Sequence, residues 1–242
     1  MVECRQRAYD QRYNLGGLRE DRIIACIQLF KGLHGDRLLD IGCGDGAITV
    51  QLMQSMAAKE AFGVDIAPEA ASAARARGVN ASCVDIDNQD LPFEDGWFDV
   101  VYCGEIIEHV FDPGHLLLET RRVLKAGGSC VLTTPNLAGW PNRLALFLGF
   151  QPYPTAVSPN YEAVGKLVFR GEEGQWGHIR VFTLRALKEL VRLHGFVIQS
   201  AKGCPVTLKS SHRLAPVARF LDRRLARFPG LANRVILVLT KT

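Results

Sequence analysis

Leu38-Leu39-Asp40-Ile41-Gly42-Cys43-Gly44-Asp45-Gly46 is the stretch that decides the fold. A short apolar run, Arg37–Ile41, meets glycines at alternate positions, and a helical pattern over Ala47–Met56 follows at once. A strand that passes through glycines into a helix brings bare backbone and a helix N-terminus to one point, where a ligand can approach closely. Downstream the alternation continues. A strand over Ala61–Asp65 precedes an Ala-rich helix opened by Pro68, a good first-turn residue. Strands at Ala81–Asp85 and Phe98–Cys103 lead to a helix over Gly114–Leu124, a Gly127-Gly128 turn and a fifth strand, Ser129–Thr134. Upstream, residues 8–32 read as helical, with Ile23, Ile24, Ile27 and Phe30 at helical spacing. Strands alternating with helices of this length predict an α/β fold with a mainly parallel sheet covered on both faces.

After Pro135 the rhythm breaks. Residues 136–177 hold aromatics, prolines and glycines without clear periodicity, too long a stretch for a structureless connector, and read as a cap inserted over the site. The pattern returns with a helix at Leu184–His194, a strand at Phe196–Ala201, a basic helical stretch at Ser211–Phe228 and a last strand at Arg234–Thr240. One domain over 1–242, with a cap at 136–177 and a basic helical insertion at 204–232, is the organisation this predicts.

The 242 residues, 48% hydrophobic and 22% charged, are enough for a full core without staples. No apolar run approaches the ~20 residues needed to cross a bilayer. The first residues lack the apolar core of a secretory signal, and the seven cysteines show no CxxC. A reducing cytoplasm is the expected location. Charge is unevenly placed: residues 1–136 carry 13 Lys/Arg against 20 Asp/Glu, whereas residues 137–242 carry 16 against 5. The second half could therefore face something anionic.

Gly42-x-Gly44-x-x-Ala47 fits the dinucleotide pattern, and Asp65 lies near the offset of a ribose-binding acid. Asp40, two residues before the first glycine, argues against a pyrophosphate and so against a nicotinamide-dependent oxidoreductase. A third acidic strand end, Asp85 or Asp87, follows. Three such ends around one glycine loop suit a ligand with an ammonium, a ribose and an adenine, namely S-adenosylmethionine (SAM).

Residues 37–134 resemble the class I SAM-dependent methyltransferases almost motif by motif. LLDIGCGDG (38–46), GVDIAP (63–68), DNQDLPFEDGWFDVV (87–101) and RRVLKAGGSCVLTTPN (121–136) correspond in order to that family's motifs. The resemblance implies a doubly wound, Rossmann-like, seven-stranded, mostly parallel sheet with an antiparallel last strand. It implies that Gly42, Gly44 and Gly46 shape the methionine side of the pocket, with Asp40 near the sulfonium end and Asp65 chelating the ribose. Ile66, Ile86 and Cys103 are the remaining cofactor-facing candidates. Counting back from Leu91-Pro92-Phe93 favours Asp87 as the adenine-facing acid, and the strand pattern favours Asp85.

Gly104-Glu105-Ile106-Ile107-Glu108-His109-Val110 follows the fourth strand. Glu105, Glu108 and His109 stand at i, i+3 and i+4, so one helical turn would put them on one face. With His178 as a fourth ligand they would make a hard-to-borderline divalent site, for Mg or Zn. The pattern resembles that of ubiquinone-pathway O-methyltransferases and of small-RNA 2′-O-methyltransferases, both of which include members that hold a metal at the acceptor oxygen. Three roles stay open for this set: metal ligation, general-base catalysis by His109 or His178 with Glu108 in support, and structure.

The apolar stretch Trp140–Phe150 reads either as a helix packed on the sheet or as a lid over an apolar acceptor. Arg213, Arg219, Arg223, Arg224 and Arg227, interleaved with Leu214, Val217, Phe220, Leu221 and Leu225, form a basic amphipathic stretch. It could be a solvated face or rest on an anionic membrane, which would suit a lipid-linked acceptor. Nucleic acid is disfavoured because aromatic and basic residues do not interleave as in a stacking platform. The function expected is methyl transfer from SAM to an oxygen of a small or lipid-linked molecule. RNA 2′-O-methylation and a catalytically silent SAM-binding module stand as alternatives.

Overall fold

The computed structural model describes residues 21–158, 163–167, 177–205 and 215–241. Its elements are α1 (Asp21–Phe30), β1 (Arg37–Ile41), α2 (Ala47–Met56), β2 (Glu60–Asp65), α3 (Pro68–Ala76), β3 (Asn80–Cys83) and β4 (Phe98–Gly104). The second half adds α4 (Pro113–Val123), β5 (Leu124–Pro135), α5 (Trp140–Phe147), α6 (Leu184–Leu193), β6 (Phe196–Cys204), α7 (Ala215–Leu225) and β7 (Arg234–Lys241). The helical reading of 8–20 and of 211–214 lies outside the described residues.

The seven strands form one sheet in the order β3-β2-β1-β4-β5-β7-β6. β1 pairs in parallel with both β2 and β4. β7 lies between β5 and β6 and is antiparallel to both. The strand period of two sorts side chains into two cores. Leu39, Ile41, Val101, Cys103 and Leu132 face one way, towards Leu116 and Leu117 of α4 and Leu187 and Val191 of α6. Leu38, Val100, Tyr102 and Val131 face the other way, towards Cys26 and Phe30 of α1 and Leu52 and Met56 of α2. Helices cover both faces, as the α/β alternation predicts.

Most boundaries shift by one to a few residues from the sequence reading, and two of the differences have a clear local cause. β3 ends at Cys83 rather than Asp85, because Asp85 closes a turn of its own. Its carboxylate accepts from the Asp87 amide at 3.1 Å and from Asn88 Nδ2 at 2.8 Å. The expected Gly127-Gly128 turn is absorbed into β5 as a bulge. Phe98 pairs with Leu124 but Val100 with Ser129, and Gly127 takes up the distortion at φ 74.

Strand order reverses at β1/β4, since the chain moves outward from β1 through β2 to β3 and then returns to β4 on the other side. In open α/β sheets the crevice beyond the carboxyl ends at such a point is where ligands bind. The glycine loop after β1 and the Glu105–His109 segment after β4 both open onto it.

Candidate functional site

The loop after β1 folds back on the end of β2. The amides of Gly42 and Cys43 both donate to Val64 O, at 2.8 and 3.1 Å. Gly42, Gly44 and Gly46 have φ of 80, 54 and 77, the left-handed region in which a side chain is strained. At Gly46 space forbids one as well, because a Cβ there would lie 3.0 Å from Ala74 Cα of α3. The buried Asp65 carboxylate accepts from Gly44 N at 2.8 Å and from Ala67 N at 3.0 Å, so it fixes both the loop and the entry to α3. Asp40, 2% exposed, accepts from Thr49 Oγ1 at 2.6 Å. Burial pushes its pKa up to about 7 against the pull of that hydroxyl, and Asp65 adds to the rise.

The other expected cofactor residues are less uniform. Ile66 is half-buried at the end of β2. Ile86 is 9% exposed and packs among the core side chains. Cys103 is fully buried with Sγ 3.7 Å from Thr120 Oγ1, so its side chain packs in the core. Asp85 and Asp87 both do structural work. Asp85 closes its turn, and Asp87 Oδ1 accepts from the amides of Phe111 and Asp112 at 2.7 and 3.4 Å, which ties this loop to the start of α4.

The segment after β4 is a turn and not the helical turn that the i, i+3, i+4 spacing suggests. Glu105 adopts φ 57, the left-handed region, and its carboxylate is held by other partners. Its carboxylate lies 3.0 Å from Arg234 Nε and 4.0 Å from Arg22 Nε, and it accepts from Thr133 Oγ1 at 3.0 Å. Burial opposes its ionisation, but Arg234, then Arg22 and Thr133, outweigh burial and hold its pKa below the usual carboxylate range. Glu105 therefore anchors the turn as an ion-paired carboxylate and drops out of the four-residue ligand set.

Glu108, His109 and His178 do converge. One ligand atom from each lies within 4.8 Å of the others, and the two imidazole rings are 4.9 Å apart. Backbone stitching explains how residues so distant in sequence meet: Ile179 N and Arg180 N both donate to Glu108 O, at 2.8 and 3.1 Å. His109 Nδ1 is 3.1 Å from Gly177 O, and His178 Nδ1 is 2.8 Å from Pro154 O. A carbonyl can only accept, so both Nδ1 atoms carry a proton, and any metal ligation would fall to the Nε2 atoms. Glu108 is 1% exposed. Thr134 Oγ1 donates to its Oε2 at 2.9 Å, and its Oε1 is buried without a hydrogen-bond partner among the described residues. Burial, with Glu105 adding to it, drives its pKa well above the carboxylate range. An orphaned buried carboxylate oxygen beside two oriented imidazoles is a donor set that fits a divalent cation. One carboxylate and two imidazoles suit a Zn-like or Mn-like ion better than Mg, which prefers oxygen.

Residues 39–132 match the model of a methyltransferase domain family. A ubiquinone biosynthesis O-methyltransferase of Xanthomonas oryzae pv. oryzae is 38% identical over 110 residues, which cover 43% of this chain and 45% of that protein. The chain thus spans less than half the length of the curated relatives it matches. Two solved structures share the fold over most of the chain. One is a SAM-dependent methyltransferase from Mesorhizobium loti (TM-score 0.61, 18% identity, covering 90% of this chain and 96% of that one). The other is geranyl diphosphate C-methyltransferase from Streptomyces coelicolor A3(2), solved with Mg²⁺, geranyl diphosphate and S-adenosyl-L-homocysteine (TM-score 0.59, 18% identity, covering 91% and 77%). The fold is the Rossmann-like one of class I methyltransferases.

Several residues around this site were not singled out in the sequence. Thr49 and Thr134 orient Asp40 and Glu108, and Arg22 and Arg234 hold Glu105. The signal for Thr134 was present: two threonines, Thr133 and Thr134, end an otherwise apolar strand and are fully buried. Asp40 carries a testable consequence. With its pKa near 7, a cationic ligand at the glycine loop must shift it to the charged form. SAM affinity should therefore rise between roughly pH 6 and 8 and level off above, with proton release on binding at the low end. Asp40→Asn should flatten that dependence, as followed by calorimetry in buffers of different ionisation enthalpy.

Proposed function

We propose that the chain transfers the methyl group of SAM to an oxygen of a small or lipid-linked acceptor, and that Glu108, His109 and His178 hold a divalent ion on the acceptor side. The observation that carries this reading is the buried Oε1 of Glu108, which lacks a hydrogen-bond partner among the described residues and faces two imidazoles at the switch point of the sheet. In this reading Asp65 chelates the ribose, Asp40 faces the cationic end of SAM, and whichever of Asp85 and Asp87 can also reach the adenine reads its amino group. Residues 136–177 act as a cap over the acceptor, and 204–232 as an insertion beside it. The O-methyltransferase name of the curated relatives favours oxygen as the acceptor atom.

The chain's own groups do the positioning. Thr134 fixes the Glu108 carboxylate, and the carbonyls of Gly177 and Pro154 fix the tautomers of His109 and His178. With the ion bound, both Nε2 atoms would be its ligands; without it, a neutral Nε2 would take the acceptor's hydroxyl proton as the oxygen attacks the methyl carbon in line and S-adenosylhomocysteine leaves. A divalent ion, when bound, would lower the pKa of that hydroxyl and fix its direction. Holding donor and acceptor in line supplies much of the acceleration. The test is turnover of methyl-labelled SAM with phenolic and lipid-extract acceptors, before and after dialysis against a chelator. Transfer should fall on dialysis and return with Zn²⁺ or Mn²⁺. Transfer that is indifferent to the chelator would remove the ion and leave histidine base catalysis.

A further inference from the structure

Two helices of the second half are turned inside out. A surface helix ordinarily buries its large apolar side chains and exposes its polar ones. α5 does the opposite: its buried residues are Asn142 and Ala145, while Leu144, Leu146 and Phe147 are 46, 57 and 86% exposed. α7 repeats the inversion. Asp222 is buried and Ala218 half-buried, whereas Val217, Phe220 and Leu221 are 56, 58 and 40% exposed. Phe228, just beyond the helix, is 62% exposed. The two helices are joined, since Trp140 Nε1 donates to Asp222 Oδ1 at 2.9 Å and Trp140 N to Leu231 O at 2.8 Å. Paired helices of this kind on a soluble domain mark a surface that something else covers.

The charges say what. Arg219 and Arg223 of α7, and Arg227 just beyond it, flank the apolar stripe, and Arg224 lies 5.2 Å over the Phe220 ring. The one acid between 215 and 232 is the buried Asp222, and there is none between 137 and 158. Beside α5 a cleft of about 590 Å³ is lined by Arg143, Arg185, Lys188 and Arg192, with Glu189 as its lone acid. A second copy docked isologously would set arginines against arginines. Nucleic acid would satisfy the arginines but leave the Leu and Val side chains without partners, since bases are read by stacking on aromatics. An anionic bilayer satisfies both, with aliphatic and phenyl groups entering the headgroup boundary and guanidinium groups on the phosphates.

We propose that α5 and α7 form a docking surface for an anionic lipid bilayer. The proposal stands on the helices alone and does not depend on the methyl-transfer reading. It does put the membrane near the acceptor side. Asn142 of α5 accepts from Tyr153 N at 3.0 Å, and the next residue, Pro154, holds His178.

The test is co-sedimentation of the full chain with vesicles of phosphatidylcholine alone or with about one third phosphatidylglycerol. Each basic residue near an anionic surface adds about fivefold to partitioning. Binding to the mixed vesicles should therefore exceed binding to phosphatidylcholine by at least about tenfold and weaken in high salt. Phe147→Ser with Phe220→Ser should reduce binding to the mixed vesicles about tenfold or more, and so should Arg219, Arg223 and Arg227→Gln together. All five side chains sit on the surface, and thermal melts check that the fold is kept. Equal weak binding to both vesicles would overturn the proposal. Anionic binding unmoved by the phenylalanine pair would also overturn it, as mere charge adsorption. So would binding to RNA, or a dimer dissolved by the phenylalanine pair, in a protein that ignores vesicles.

Discussion

Glu108→Gln should yield a protein that folds at least as well as the parent and transfers no methyl groups. In the metal-free chain the Glu108 carboxylate is buried, and its pKa is driven well above the ordinary value by burial and by Glu105. Its native form therefore binds a proton that the unfolded chain has already lost. Stability contributed by the neutral carboxyl is present at low pH and declines as pH rises from the unfolded pKa through the folded one. Glutamine is neutral at every pH and can keep the contact with Thr134, so the decline should disappear in the variant. Function should move the other way. Loss of a carboxylate ligand should cut divalent-ion affinity by more than about 100-fold, going beyond what second-shell changes typically cost. The ion should no longer restore activity after chelation. Calorimetric titration with Zn²⁺ reads affinity directly, and pH-dependent melts read the linkage. A variant that is stabler and dead is the signature expected of a group kept for chemistry at the expense of stability. A variant as active as the parent would return Glu108 to a structural role.

Asp65→Ala carries the second large effect, and it should damage stability and binding together. The carboxylate accepts from the amides of Gly44 and Ala67, and removing it leaves both donors at a buried position. Hydrogen bonds to a charged group are worth roughly 1.5–3 kcal/mol each, and buried donors left unpaired cost roughly 1–3 kcal/mol. A loss of about 2–4 kcal/mol of stability is expected, measured by denaturant titration. If the same carboxylate chelates the ribose, affinity for SAM and its demethylated product should fall by about 100-fold in the fraction that stays folded. A stability loss with unchanged affinity would make Asp65 a loop latch and move the ribose elsewhere.

The parts of this molecule that repeat a local rule could be read in the sequence. Arg37–Ile41 and Ala47–Met56 have the same boundaries in the sequence reading and in the structure, because strand, glycines and helix are all set by neighbouring residues. The seven-stranded sheet and its antiparallel last strand follow from the same alternation and from the methyltransferase resemblance. Glu105 shows where local reasoning fails. Spacing put it on one helical face with Glu108, but the fold gives it a left-handed backbone and two arginines from distant elements, α1 and β7. Nothing within four residues signals Arg22 or Arg234. Asp85 failed for a nearer reason: aspartate close to an asparagine is turn chemistry, and the turn ended the strand two residues early. The exposed phenyls of α5 and α7 were visible as residues, yet which side of each helix faces the sheet is settled only by packing. His178 is the opposite case, since a residue 69 positions after His109 is the expected fourth ligand and lies beside it.

The most direct measurement is a calorimetric titration of the whole chain with S-adenosylhomocysteine, and separately with NAD⁺. In the proposed function the glycine loop, Asp40 and Asp65 form a pocket for an adenosyl group with a cationic tail and no phosphate. The account predicts a single site for S-adenosylhomocysteine with affinity in the micromolar range, on the order of −8 kcal/mol, and no heat with NAD⁺. Tight binding of NAD⁺ and silence towards S-adenosylhomocysteine and SAM would contradict it.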